Sequence, residues 1–295
     1  MERVPSSGAI EALRAGEFDW VDTVPTDQYD TFQDGIPGYT TLGYTGQSYD
    51  FIGFKLGEWD QEAGKVQVDP DAKMADKNLR QAMAYALDID QVSESFYSGL
   101  RQRATTHIIP NFTDFHRDDL EGYPYDPDRA NQLLDEAGYE DVDGDGYRED
   151  PDGEPLEITY ASRAGSEVAE TVAQYYLQAW EEVGLNVSLL DGRLHENNAH
   201  IDRVQADDPD IDVFELGFGV GSDPTPIGLY GPNESFNLAR YESEENNEYL
   251  QDFVSEEAFD DEYRQQVFYD WQESFIDEIL SLIHISDGAR EACRS

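Results

Sequence analysis

Apolar residues recur along this chain at two spacings, and the alternation between them sketches the architecture. A short helical repeat over residues 7–16, stopped by glycine, leads into a strand over 18–21. Residues 49–54 (YDFIGF) read as a second strand. From about Asp76 the period becomes helical, with Leu79, Met83, Ala86 and Leu87 on one face. A second short helix starts at Ile89, carries Val92, Phe96 and Tyr97, and closes at Gly99. Residues 100–125 read as irregular loop. Asp126-Pro127 is an acidic cap followed by proline at the first helical position. It predicts a helix over 128–137 that turns Ala130, Leu133, Leu134 and Ala137 inward and ends at Gly138.

The middle of the chain is the most regular. Strand patterns over 156–161, 185–190 and 211–218 are separated by helical patterns over 166–183 and 197–205. This β-α-β-α-β run with short connections predicts parallel strands joined by right-handed crossovers, hence an α/β fold. After a Gly- and Pro-rich loop over 217–233, helices are expected near 243–256 and 260–280, then a short apolar segment over 280–285. The stripe Tyr175, Tyr176 and Trp180 and the set Tyr263, Phe268, Tyr269, Trp271 and Phe275 sit at helical spacing and read as core.

Charge changes this picture most. The 295 residues include 65 Asp and Glu against 19 Lys and Arg, a formal net charge of -46; only four of the bases are lysine (Lys55, Lys65, Lys73, Lys77). In ordinary salt such self-repulsion opposes the compact state, whereas at about 1 M salt the Debye length falls to about 3 Å and screens most of it. The acids are spread along the whole chain, which reads as a solvated surface suited to concentrated brine rather than a block for a basic partner. Nucleic acid is not an expected partner, because no basic patch is present to neutralise phosphates. The single cysteine, Cys293, permits no disulfide within the chain. No run of 18 apolar residues spans a bilayer. No signal-peptide pattern precedes the first helix.

Candidate chemistry is sparse. In open α/β sheets ligands bind beyond the carboxyl ends of the strands, and the segment after the third parallel strand, 217–224, sits at such an end. Its three glycines allow close backbone approach, Phe218 offers a stacking face, and Ser222 and Asp223 offer polar contacts. Phe218, Gly219, Gly221, Ser222 and Asp223 are therefore the candidate ligand contacts; the alternative is a glycine-rich exit turn capped by Asp223-Pro224. Asp141, Asp143, Asp145, Tyr147 and Asp152 have nearly the spacing of an EF-hand calcium loop, with acids at positions 1, 3, 5 and 12, glycine at 6 and a carbonyl at 7. Against calcium, position 12 is Asp rather than the longer Glu, and the loop leads into a strand; the alternative is a tight acidic turn. His195 and His200 are five apart, so on a helix they diverge by about 140° and cannot share a metal from one face. They read as part of a polar surface helix. No Ser/His/Asp or Cys/His set assembles by local spacing.

Four segments in order carry a resemblance to a known family. Residues 79–90 (LRQAMAYALDID) resemble an Arg-x-Ala-x-x-x-Ala-Ile-Asp-Arg helix, and 125–138 (YDPDRANQLLDEAG) a Tyr-Asp-Pro-x-x-Ala-x-x-Leu-Leu-x-x-Ala-Gly stretch. Residues 180–187 (WEEVGLNV) are similar to Leu-x-x-x-Gly-Ile-x-Val, and 218–224 (FGVGSDP) to aromatic-Gly-x-x-x-Asp-Pro. These are features of the family-5 extracellular solute-binding proteins of ABC importers, which include oligopeptide-, dipeptide- and nickel-binding components. The likeness runs from about Ala9 to Ile285.

The resemblance implies a periplasmic-binding-protein-like (type II) architecture of two lobes around a ligand cleft. Residues 1–58 would be a remnant of the first lobe and crossover, 59–275 the second, ligand-binding lobe, and 276–295 a return to the first lobe with a tail over 287–295 that is not family-like. It implies that this is the C-terminal half of a longer, extracellular and membrane-associated protein whose signal or anchor segment lies outside this chain. The expected partners are a small-molecule or peptide ligand and a membrane permease; the expected state is monomeric, with no enzymatic activity and no cofactor beyond the calcium considered above. Peptide-binding relatives place an acid shortly after the aromatic-Gly pair. Here Gly219-Val220-Gly221 occupies that stretch and the only acid is Asp223, which leaves room for sugars, other neutral solutes or nickel-like chelates. A secreted calcium-stabilised hydrolase and a structural surface domain are the alternative functions.

Overall fold

The computed structural model describes residues 8–24, 26–43, 46–101, 103–166, 168–286 and 290–294. The chain opens with α1 (Ala9–Arg14), β1 (Trp20–Val24), β2 (Tyr39–Gly43) and β3 (Ser48–Phe54), then a hairpin of β4 (Gly57–Asp60) and β5 (Lys65–Val68). Helices α2 (Lys77–Tyr85), α3 (Ile89–Tyr97) and α4 (Pro127–Ala137) follow. The middle run is β6 (Glu157–Ala161), α5 (Ala169–Glu182), β7 (Asn186–Leu189), α6 (Asn197–Gln205) and β8 (Val213–Gly219). The short α7 (Ile227–Tyr230), α8 (Glu244–Asp252), α9 (Asp261–Glu278), β9 (Ser281–Ser286) and β10 (Arg290–Arg294) complete the order.

Helix boundaries follow from acids already visible in the sequence. Asp76, Asp88, Asp126 and Asp260 each accept a backbone N–H of the first turn of α2, α3, α4 and α9 at 2.8–3.0 Å, and Glu196 caps α6 the same way. Each such cap is worth about 1 kcal/mol, so part of the acidity has local work to do. At the other end of α4, Gly138 takes φ +88°, a left-handed closing turn that a side chain would strain.

The main sheet has the order β7-β6-β8-β3-β9. β6 pairs in parallel with both β7 and β8, as the β-α-β-α-β reading requires, while β3 pairs antiparallel with β8 and β9. Chain order and sheet order differ: from β6 the chain crosses by α5 to β7, then by α6 back past β6 to β8. The connections leaving β6 and β8 therefore run to opposite sides, and the gap between their carboxyl ends is a topological switch point. One contiguous core joins this sheet to α2–α5 and α9, with Trp180, Trp271, Tyr160, Phe54, Phe214 and Phe268 fully buried. The buried indoles find acceptors, Trp180 at the Met83 carbonyl and Trp271 at Asn246.

A smaller sheet, β1-β10-β2, is antiparallel throughout and sits with its own cluster of Ile10, Leu13, Phe32 and Ile36. The chain passes between the two sheets twice, from β2 to β3 and from β9 to β10, both times at the carboxyl end of the parallel strands.

Several expectations shift. β3 and β9 belong to the main sheet, so the boundaries at 58/59 and 275/276 divide one sheet. Residues 290–294, read as a tail, form the central strand of the small sheet. β8 runs one residue past the expected strand end at Phe218, to Gly219, and Val220 still donates to the Gln47 carbonyl at 2.7 Å, extending the pairing with β3. β2, the β4–β5 hairpin and β10 went unseen: β5 buries only Val66, which leaves no two-residue period to read. His195 and His200 are not on a polar surface. Both rings are buried, against the Leu190 and Glu215 carbonyls at 3.2 and 2.6 Å. α6 buries only His200 and Val204, so its apolar pattern is weak, and His195 precedes the helix in a bridge with Arg163.

Candidate ligand-binding site

The pleat of β3 and β8 sends alternate residues to opposite faces, and at the carboxyl end of the sheet the two faces differ sharply. Tyr49, Phe51, Phe214, Leu216 and Phe218 share one face. Asp50 and Glu215 share the other, each opposite a small or apolar partner, Gly217 and Ile52.

On the charged face four side chains converge from four places in the sequence. Asp50 of β3 accepts from Arg163, just beyond β6, with one carboxylate oxygen and from Arg101 at 3.0 Å with the other. The Arg163 Nε lies 3.6 Å from Glu215 of β8, whose second oxygen accepts the Ser162 hydroxyl at 2.7 Å. The Arg101 guanidinium also lies over the Tyr97 ring, 3.8 Å from its centre. Gly217 makes this arrangement possible: a Cβ there would stand closer than 3.0 Å to both Asp50 and Arg163. Burial, reinforced by the Asp50 charge, raises the pKa of Glu215. For Arg163, burial opposes the charge, but Asp50 and Glu215 outweigh it and raise the pKa. These groups line a cavity of about 330 Å³ at the head of α5, with Gly165, Ser166 and Asn197 on its rim. It lies at the switch point between β6 and β8.

On the opposite face Phe218 is half-buried. Phe51 stacks on it with ring centres 5.4 Å apart, and Phe236, itself half exposed, meets it edge-on at 6.3 Å. One side of the expected stacking surface is thus already occupied. At the end of the strand and beyond it, Gly219, Gly221, Ser222 and Asp223 are exposed. A Cβ on Gly221 would meet nothing within 4 Å, so the backbone here stands bare to solvent. Asp223 accepts the Thr225 N–H at 3.1 Å, and Arg264 is 3.9 Å away. Beneath this lip His107 is fully buried among Tyr49, Tyr230, Trp271 and Phe275, its Nε2 3.3 Å from the Pro224 carbonyl. Burial depresses its pKa to about 4, only partly opposed by that carbonyl, so the ring is neutral and Nε2–H donates to Pro224.

In the acidic loop, Asp141, Asp143 and Asp145 bring carboxylate oxygens within 4.8 Å of one another, all exposed. Each also accepts a backbone N–H of the loop: Gly144 and Gly146 donate to Asp141, Asp145 to Asp143 and Tyr147 to Asp145. Asp152 stands outside this group. Glu149 is the acid that folds back, accepting the Val142 N–H at 2.8 Å.

Asp50, Arg101, Arg163 and Glu215 escaped the sequence reading because their spacing carries no local period. The available signal was an acid inside two apolar strands, YDFIGF and VFEL, and it is diluted in a chain with 65 acids.

A sheet with parallel β-α-β units, a switch-point cavity and a glycine lip defines a ligand-binding α/β lobe. The chain belongs to the bacterial extracellular solute-binding proteins, family 5 Middle, which match residues 3–237. It is a family of solute-binding proteins and not of enzymes, in line with the motifs. Among curated relatives, the oligopeptide-binding protein OppA of Lactococcus lactis subsp. cremoris is 30% identical over 275 residues, 92% of this chain and 46% of the relative. The oligopeptide-binding protein AppA of Bacillus subtilis is 23% identical over 88% of this chain and 46% of its own length. The chain spans about half the length of the curated relatives it matches. Among solved structures, lactococcal OppA, complexed with an endogenous peptide in the closed conformation, superposes with a TM-score of 0.93 at 28% identity, covering 99% of this chain and 54% of that one. NikA from Brucella suis, in complex with Fe(III)-EDTA, shares the fold at a TM-score of 0.75 and 21% identity, covering 99% and 56%. No helix among the described residues is long and apolar enough to cross a membrane.

Proposed function

We propose that this chain forms one wall of the ligand cleft of an extracellular oligopeptide-binding protein, which captures its ligand reversibly and hands it to the membrane permease of an ABC importer. The observation that carries the reading is the switch-point cavity, with a bare glycine lip at the end of the neighbouring strand, in a chain of this family with peptide-binding relatives. No covalent step is involved; the cleft closes by hinge motion between two lobes. In this reading residues 46–286 form the ligand-binding lobe, and 8–43 with 290–294 belong to the other. The lip residues Phe218, Gly219, Gly221, Ser222 and Asp223 contact the ligand, and the protein works as a monomer, held at the membrane by a segment outside this chain. The dispersed acids suit brine: raising KCl from 0.1 to 2 M should raise the melting temperature.

Calorimetric titration with a mixed set of four- to eight-residue peptides tests the function. Micromolar or tighter binding of at least one peptide is expected, with a rise in melting temperature. Binding of sugars or metal chelates instead, with none of the peptides, would overturn the ligand class.

A further inference from the structure

The cavity at the head of α5 holds two of the chain's fifteen arginines, and both guanidiniums are paired with acids of the same cavity. Asp50 engages both, one with each oxygen. Arg101 is further covered by the Tyr97 ring, and Arg163 has Glu215 at its Nε. The four side chains are between 15% and 26% exposed, so they face the cavity while their charges are spent on one another. With both acids ionised the set sums to zero. Besides the Tyr97 ring, the rest of the lining is uncharged: Ala164, Gly165, Ser166, Ala169, Val172 and Asn197.

Resting on the reading of this wall as a peptide site, we propose that Asp50 sets its charge selectivity, clamping Arg101 and Arg163 so that the cavity accepts an uncharged segment of the ligand rather than a carboxylate. A ligand carboxylate entering here would have to displace Asp50, exchanging one ion pair for another while leaving Asp50 uncompensated in a partly dry site. An uncharged side chain loses little water and breaks no pair. Gly217 serves this arrangement, because its missing side chain is the space that the Asp50–Arg163 pair fills.

The test compares an acetylated pentapeptide of neutral side chains as free acid and as C-terminal amide, at pH 7.5 and fixed ionic strength. Wild type should bind the two within about threefold. Asp50→Asn, which keeps the shape, should favour the free acid at least tenfold, about 1.4 kcal/mol, and Asp50→Asn/Arg163→Gln should lose that preference. An amide carrying one glutamate side chain separates a terminal from a side-chain carboxylate as the group gained. A tenfold preference for the free acid in wild type, or an unmoved ratio in Asp50→Asn, overturns the proposal. Should Asp50→Asn not fold, Arg163→Gln alone decides: a ratio equal to that of wild type supports the clamp, and a loss of free-acid affinity refutes it. Where wild type binds neither peptide, the peptide reading fails, and melting curves with succinate judge the clamp. They should rise for Asp50→Asn and stay flat for wild type; any other pattern refutes it.

Discussion

β3 carries the same charge motif at each end: one carboxylate between two cations. At the carboxyl end of the parallel strands Asp50 sits between Arg101 and Arg163. At the other end Asp207 sits between Lys55 and Arg240, and its second oxygen takes the Trp59 N–H at 2.8 Å. The difference lies in what surrounds them. Arg240 also donates to the carbonyls of Ser235, Asn237 and Gln205, and Lys55 to those of Leu238 and Val204. Arg240 is 1% exposed and Lys55 7%. Burial, only partly offset by Asp207, drives the Lys55 pKa down to about 8. Asp207 and Arg240 even hold left-handed backbone, φ +52° and +59°, at a cost of about 1–2 kcal/mol each. Five carbonyls from two segments, 204–205 and 235–238, seal that end, so its charges knit loops together. The Asp50 end keeps a cavity in front of it. A shared motif becomes a strut where backbone acceptors close it and a binding wall where they leave it open.

The largest expected effect breaks the strut. Asp207→Asn strips the counter-charge from two buried cations and should destabilise the chain by about 3–5 kcal/mol in denaturant titration. Asp50→Asn, with partly exposed partners, should lose about 1 kcal/mol or less. Equal losses would erase the contrast.

His107 gives the next largest effect. Its folded pKa, about 4, lies below the ordinary histidine value of 6.5. Between those values the unfolded chain binds the proton and the folded one does not, so its contribution to stability is complete above pH 6.5 and is lost as pH falls toward 4. The loss is about 3 kcal/mol. His107→Phe should flatten that part of the pH–stability profile; an unchanged slope assigns it to other groups.

Gly217→Ala sharpens the open end. The added methyl group presses on Asp50 and Arg163, and should cost about 1–3 kcal/mol while loosening their pairing. A melting temperature equal to wild type would show that the pair has room to spare.

The smallest effect concerns acids with no cation of their own. Among the described residues, Asp141, Asp143 and Asp145 hold loop N–H groups and no side-chain cation. If calcium enters at the millimolar affinity of extracellular sites, 10 mM should stabilise by about 1 kcal/mol, and Asp143→Asn should abolish the gain. An identical melting curve with calcium and with chelator would leave the loop a plain acidic turn.

Much of the fold was legible along the chain. Asp126-Pro127, Gly138 and the apolar face of α4 could be read residue by residue, because caps, proline and helical period act within a few positions. The three parallel strands were legible for the same reason. The β4–β5 hairpin was not, since its strands are largely exposed and stand by cross-strand bonds rather than by an apolar period. The lip residues were found as a motif, with Phe218 at the end of its strand. Only the register with β3 shows that the strand runs on to Gly219 and that Phe51 already covers one side of the Phe218 ring.

The sequence by itself determined the class of the fold, the family and the position of the lip, since each is written in residues near one another along the chain. Tertiary structure alone decided that Asp50, Arg101, Arg163 and Glu215 share a cavity, that Asp207 is sealed while Asp50 is not, and that His107, His195 and His200 lie inside. Charges interact through space and burial, and neither the distance between strands in a sheet nor the carbonyls that close around a side chain leave a period in the sequence.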